Sequence, residues 1–347
     1  VFSGRVIVMR KILGIVVLGL LLSWNAYALE TPLKNLSKFF KNGELIKIPS
    51  YNVKPWPNQY LSIIDGSYKN SPIEVDAFIS FPKKGEGPFP VMMFAHSSGG
   101  ASLFTDKWFK FNRLMAKKLL KKGVAVMFLD NFSARGQKHT YANQTTIQHY
   151  STYIDAFKAL EYLSKDPKVD IKKVGITGWS RGGMISLMAS EKRLRDTLIS
   201  KDLYFAATLP RTVGCWSVAM FLNPQPIKET KTWMVLGGAD DFTRPEPCLE
   251  LGNKYKTNGA DIEVTVKKGW GHGFTANYEA EFEADNQVFS KCPGSFMTDE
   301  GNITYAKSIL GNASYPECIK MGAHIGGNKG DRFAKEFLKF FKENLLN

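Results

Sequence analysis

Histidine is scarce in this chain. There are five in 347 residues, His96, His139, His149, His272 and His324, and they show no metal-ligand spacing. Cysteine is as sparse, with four residues, all beyond position 214, and their spacing does not resemble a zinc site. The chemistry read below calls for no metal and no cofactor. Arginine-rich tracts, internal repeats and low-complexity linkers are absent too. The formal net charge is +14, yet the lysines are scattered in short groups such as Lys117-Lys118 and Lys121-Lys122. That distribution reads as a solvated basic surface and argues against nucleic acid as a partner. An apolar fraction of 44% and a charged fraction of 22% place the chain among globular proteins. Without a linker, one domain is the simpler reading.

A long hydrophobic run occurs at Ile12 to Leu22, too short for a comfortable membrane span. Met9-Arg10-Lys11 precedes it, and Ser23 to Ala28 follows, ending Ala26-Tyr27-Ala28. A basic region, an apolar run and a small-x-small site form a signal peptide, residues 1–28, with translation expected to start at Met9. No cysteine follows the cleavage site, so neither a lipid anchor nor membrane insertion is expected of the mature chain, which would be periplasmic or secreted. In that oxidising setting Cys215, Cys248, Cys292 and Cys318 suit two disulfides. Three connectivities are open. Cys215–Cys248 and Cys292–Cys318 are favoured because each pair falls near or within one loop region.

Residues 29–65, with Pro32, Pro49, Pro55 and Pro57, read as an irregular N-terminal wrap. Residues 66–347 then form the domain proper. Ile73 to Phe81 alternates like a strand, and Val91 to Ala95 and Val124 to Leu129 are apolar runs of buried-strand type. Further strands are expected at Val174 to Thr177, Phe205 to Leu209, Thr232 to Leu236 and Ile262 to Val266. Helical spacing occupies Asp106 to Lys122, Tyr150 to Leu163 and Asp331 to Asn344. Strands alternating with helices predict an α/β fold with a doubly wound, mostly parallel sheet. Residues 276–326, polar and carrying two cysteines, look like a disulfide-pinned insertion before the last helix.

Gly178-Trp179-Ser180-Arg181-Gly182 sits between the strand ending at Thr177 and an apolar helical stretch. Strand, sharp turn and helix are what a nucleophile elbow requires, with the serine hydroxyl exposed above the sheet. A serine needs a base to become nucleophilic, and the base needs an acid to hold its tautomer. The chain supplies them in the order expected of such folds: Asp240, after the strand at 232–236, then His272, in a glycine-rich loop after the strand at 262–266. Asp241 is the alternative acid. Oxyanion stabilisation needs two backbone N–H groups. Arg181 offers one, and Ser98, with Ser97 as the alternative, the other. Arg135 and Arg181 suit a substrate carboxylate or internal acids, and both readings stay open. Trp179, Trp270 and Phe274 suit either a substrate pocket or sheet-edge packing. His96 reads as a structural residue of the oxyanion loop, and His139, His149 and His324 as surface or packing residues.

Phe94-Ala95-His96-Ser97-Ser98-Gly99-Gly100, Asp130-Asn131-Phe132-Ser133-Ala134-Arg135-Gly136, Gly178-Trp179-Ser180-Arg181-Gly182-Gly183, Gly237-Gly238-Ala239-Asp240-Asp241 and His272-Gly273-Phe274 together resemble the dienelactone hydrolase family. The likeness spans residues 70–275 and the last helix. It implies an α/β-hydrolase fold and a Ser180–His272–Asp240 triad. The name-giving enzymes carry cysteine where this chain has Ser180, and the first glycine of their His-Gly loop is Ser97 here. The expected activity is hydrolysis of a small carboxylic ester through an acyl-enzyme. The net charge and the arginines point toward an anionic ester. An oligopeptidase-like peptidase and a non-catalytic binding protein on the same fold are the competing readings.

Overall fold

Eight strands build the sheet that carries the candidate site: β1 (Gly43–Tyr51), β2 (Pro72–Ser80), β3 (Phe89–Ala95), β4 (Ala125–Asp130), β5 (Val169–Trp179), β6 (Ala207–Arg211), β7 (Lys231–Gly237) and β8 (Asp261–Lys267). They come from a computed structural model that describes residues 28–215, 220–292, 294–306 and 318–347. The signal peptide expected at 1–28 lies, apart from Ala28, outside the described residues. The spatial order is β1-β2-β4-β3-β5-β6-β7-β8. The two pairs at the β1 end are antiparallel, and every pair from β4 to β8 is parallel. This is the doubly wound, mostly parallel sheet of an α/β-hydrolase fold.

The apolar runs give this sheet two covered faces. Met93, Ala95, Met127 and Leu129 enter one core cluster, and Met92, Phe94, Val126 and Phe128 enter the other. A strand period of two thus sends alternate residues of one run to opposite layers. The first layer is closed by helices α3 (His149–Leu163) and α4 (Arg181–Met188), with Tyr150, Phe157, Ile185 and Met188 in the same cluster. The second is closed by α2 (Phe111–Leu120) and α7 (Gly330–Leu345). Phe333, Phe337, Phe341 and Leu345 form the buried stripe of α7, at the four-residue interval that puts them on one face. Shorter helices are α1 (Gln59–Ile64), α5 (Lys192–Leu198) and α6 (Glu246–Thr257).

Two expectations need correction. Residues 29–65 are not irregular. They contain β1, paired with β2 from Gly43↔Ser80 to Tyr51↔Pro72. Pro49 hid this strand, but at a sheet edge a missing N–H donor is tolerated. The second helix begins at Phe111 and not at 106, because the Asp106 carboxylate accepts the Trp108 N–H at 2.6 Å and holds a turn there. Within 276–326 the described residues form two antiparallel pairs, β9 (Glu281–Val288) with β12 (Lys320–Ile325) and β10 (Gly294–Met297) with β11 (Ile303–Ala306). Both favoured disulfides are present. Cys292–Cys318 ties the insertion to itself, and Cys215–Cys248 joins the segment after β6 to α6.

Arg135 fastens the edge strand to the core. Its Nη1 and Nη2 donate to Asp155 Oδ2 and Oδ1 at 2.7 and 2.9 Å, and its Nε donates to Asn52 Oδ1 at 2.7 Å. Asp155, on α3, also accepts from Asn131 Nδ2 at 2.8 Å and from the Ser50 hydroxyl of β1. Both charged groups are buried. Removing one partner leaves the other charge desolvated and alone. Asp155→Ala is therefore expected to cost about 3–5 kcal/mol of stability, read from urea unfolding. A loss below about 1 kcal/mol would show that the pair does not hold this edge.

Candidate active site

The elbow begins with a close approach. A Cβ on Gly178 would stand 2.4 Å from the carbonyl of Gly182, and one on Gly182 would stand 2.4 Å from the carbonyl oxygen of Ala95. Only glycine at both positions lets α4 start this near the ends of β5 and β3. Between them Ser180 adopts φ 56° and ψ −121°, a conformation rare for a residue with a side chain. Its N–H donates to Arg211 O at 3.0 Å, and its own carbonyl accepts the Met184 N–H at 3.0 Å. The amides of 181 to 183 precede the first intrahelical bond and are the helix's orphan donors.

Asp240 follows β7 and His272 follows β8. His272 Nδ1–H donates to Asp240 Oδ2 at 2.9 Å, with both side chains buried. Asp240 Oδ1 is held by the N–H groups of Phe242 and Thr243 at 3.0 and 2.7 Å. A carboxylate so fixed sets the tautomer and leaves Nε2 without a proton. That Nε2 is buried and has no hydrogen-bond partner. The imidazole is enclosed edge-on by Phe242 at 4.6 Å and lies 5.5 Å from the Trp179 ring, which is next in the chain to Ser180. Its loop is tied down from the insertion, where the Gly326 N–H donates to His272 O at 2.8 Å.

Asp241 points elsewhere. It is exposed and pairs with His324, Nδ1 to Oδ2 at 2.8 Å. Trp179 stacks on Phe109, and Trp270 packs on Phe274 and Phe333 in the second core layer. Arg135 is spent on Asp155. None of these three lines the cavity that Ser180 opens into, whereas Arg181 and Ser98 do. The Arg181 guanidinium is buried, and Nη1 and Nη2 donate to Gln144 O and Ile147 O. Burial lowers it to about 10, so it remains a cation at neutral pH. Ser98 Oγ donates to Gln144 Oε1 at 2.9 Å. No cluster of His, Cys, Asp and Glu that could hold a metal occurs among the described residues.

Three residues of this neighbourhood have no strong sequence signal. The Thr243 hydroxyl lies 2.8 Å from Asp240 Oδ2, 3.0 Å from Thr212 O and 3.1 Å from His272 Nδ1. Asp240 and Thr243 form an Asx-type turn, the one local hint available. His149 is half-buried, and Gln59 comes from the segment read as an irregular wrap. Both line the cavity wall.

The sequence model of the dienelactone hydrolase family matches residues 75–296. The chain is 27% identical over 161 residues to "Protein usf" of Aquifex pyrophilus, a match covering 44% of this chain and 58% of that protein. It is 21% identical over 229 residues to a Yersinia pestis protein provisionally named as a carboxymethylenebutenolidase, covering 61% of this chain and 79% of that one. Among solved structures, the apo form of Thermogutta terrifontis esterase 2 superposes with a TM-score of 0.44 at 16% identity, covering 59% of this chain and 82% of that one.

His96 braces the loop after β3. Its Nε2 accepts the Asn131 N–H at 3.1 Å, and its Nδ1–H donates to Ser97 O at 2.8 Å. These contacts require a neutral ring, and burial lowers its pKa in the same sense, opposed by Asp130. Long-range nitrogen–proton NMR is expected to find His96 neutral, with the proton on Nδ1, and titrating below the usual midpoint of about 6.5. Titration at or above that midpoint would contradict the assignment.

Proposed function

The chain belongs to the dienelactone hydrolase family, a family of carboxylic ester hydrolases, and we propose that it is a serine esterase with Ser180, His272 and Asp240 as its triad. The observation that carries this reading is the buried His272, bonded to Asp240 through Nδ1, with Nε2 unpartnered and its ring 5.5 Å from that of Trp179, the residue before the elbow serine. His272 Nε2 takes the hydroxyl proton as Ser180 Oγ attacks the ester carbonyl. Asp240 stabilises the imidazolium that forms. The N–H groups of Arg181 and Ser98 receive the oxyanion, Arg181 from the helix start and Ser98 from the loop after β3. His272 then returns the proton to the departing alcohol. Water, activated by the same nitrogen, releases the acid and frees Ser180.

Thr243 acts as a positioning residue in this scheme. Its hydroxyl links the His272–Asp240 pair to the backbone at Thr212. Export fits the chemistry of the chain: two disulfides persist in oxidising compartments, in keeping with a leader at 1–28. No helix among the described residues is long and apolar enough to cross a membrane.

Ser180→Ala is expected to lower kcat on any cleaved ester by about 10⁴-fold or more and to abolish labelling by a fluorophosphonate. Wild-type turnover in that variant would falsify the nucleophile assignment. Thr243→Val should lower kcat roughly 10- to 100-fold with KM little changed, the worth of one hydrogen bond to a charged group, and Thr243→Ser should restore it. A loss confined to KM would instead place Thr243 on the substrate.

A further inference from the structure

Strand β6 lies between β5, which ends at the elbow, and β7, which leads to Asp240. In register, Trp179 faces Arg211 and Arg211 faces Val235. The end of β6 therefore sits between Ser180 and the acid–base pair, and two residues there are held at a cost.

Thr212 adopts φ 43°, a left-handed conformation that a β-branched residue rarely takes. Its hydroxyl is buried without a partner, so no side-chain bond explains the conformation. Its backbone does. The N–H donates to Val235 O at 2.9 Å, and the carbonyl stands 3.0 Å from the Thr243 hydroxyl, the group that lies against Asp240 Oδ2 and His272 Nδ1.

Arg211 is fully buried, and no carboxylate pairs with it among the described residues. Burial lowers its pKa to about 9, so it is a cation at neutral pH. Its Nη2 donates to Asn112 Oδ1 at 2.9 Å, its guanidinium lies 5.3 Å from the Phe111 ring, and its Nε has no partner. For packing alone, an apolar side chain of similar length would serve better than an unpaired buried cation. The cation reaches the loop of the base: Nη1 is 3.4 Å from the hydroxyl of Thr275, three residues past His272. The backbone of the same residue reaches the elbow, where the Ser180 N–H donates to Arg211 O at 3.0 Å. Helix α4 rests on that carbonyl too, since a Cβ on Gly183 would stand 2.5 Å from it.

Resting on the esterase reading, we infer that Arg211 is a positioning residue: from the end of β6 it fixes the His272 loop against the turn that carries Ser180, and Thr212 makes a second tie through Thr243. A displacement of about 1 Å between such groups costs on the order of 10²-fold in rate, which gives the unpaired cation its use.

The test uses the full chain and any cleaved ester. Arg211→Met should lower kcat roughly 10- to 100-fold with KM little changed. Its melting temperature should hold or rise, because an unpaired buried charge gives way to an apolar chain. A packing role predicts the opposite pairing, with stability and activity falling together. Arg211→Lys keeps the charge without the planar fork and should recover part of kcat. Thr275→Val should lower kcat severalfold in the wild type and no further in Arg211→Met, since both remove one tie. If Arg211→Met does not fold, Arg211→Lys with and without Thr275→Val supplies the same cycle. Wild-type kcat in Arg211→Met overturns the inference. So does a kcat that falls only in step with the melting temperature, or losses at 211 and 275 that add in full. Fluorophosphonate labelling of the wild type is read alongside. Its absence would sink the esterase reading, and this inference with it, whereas normal labelling with any of the overturning results sinks this inference alone.

Discussion

The backbone at Ser180 is the constraint on which the rest of the structure depends. Holding a residue with a side chain at φ 56° and ψ −121° costs on the order of 1–3 kcal/mol. The cost is met because the neighbours leave no alternative. Ser180 donates to Arg211 O on β6, while Gly182 meets the carbonyl of Ala95 on β3. A side chain at position 182 would push α4 away from β3. It would thereby separate the amide of Arg181 from the loop that carries Ser98, the two halves of the proposed oxyanion site. The turn fixes more than the direction of one hydroxyl: it sets the distance between the two segments that act on one carbonyl in the proposed mechanism.

Much of this frame was legible in the chain, for a physical reason. The inner parallel strands are covered on both faces, so β3, β4, β5 and β7 are written as apolar runs; Ser180 and Asp240 follow such runs, and His272 follows the edge strand β8. β1 was not legible, because it lies at the sheet edge, only alternate residues near its end are buried, and Pro49 interrupts it. Helix α5 was hidden by its own charges. Arg193 and Arg195 are buried in it and face Glu191 and Asp196, so no apolar stripe marks the helix. Thr243, Gln59 and His149 share a different obstacle. Their places at the site arise from contacts between segments far apart in sequence, and no local spacing encodes them.

The arginines show how composition misleads when burial is unknown. From the sequence, Arg135 and Arg181 suit a substrate carboxylate and internal acids equally well. Arg135 is committed to Asp155, and its work is to fasten β1 and α3 together. Arg181 makes no ion pair among the described residues. It spreads its charge over the carbonyls of Gln144 and Ile147 and over the Thr140 hydroxyl. Backbone oxygens that would otherwise point into an apolar layer thus receive donors, and the 140–147 loop is fixed as one wall of the cavity. A single residue therefore serves both sides of the cavity, its amide next to Ser180 and its guanidinium under the 140–147 wall.

The same wall explains where the disulfides fall. Cys215 and Cys292, one from each bond, line the cavity. Their partners Cys248 and Cys318 lie 33 and 26 residues away, and closing loops of that length stabilises the folded chain by roughly 3–4 kcal/mol each in the loop-entropy account. Among its described residues the 276–326 segment has little apolar core of its own; most of β9 is exposed. Yet it supplies Gln287 and Ser295 to the cavity and holds the His272 loop through Gly326. A segment with so little hydrophobic burial cannot keep such groups in place by packing alone. The covalent ties stand in for that core, and they do so beside Ser180, the proposed nucleophile, where a wall displaced by an ångström would cost the most.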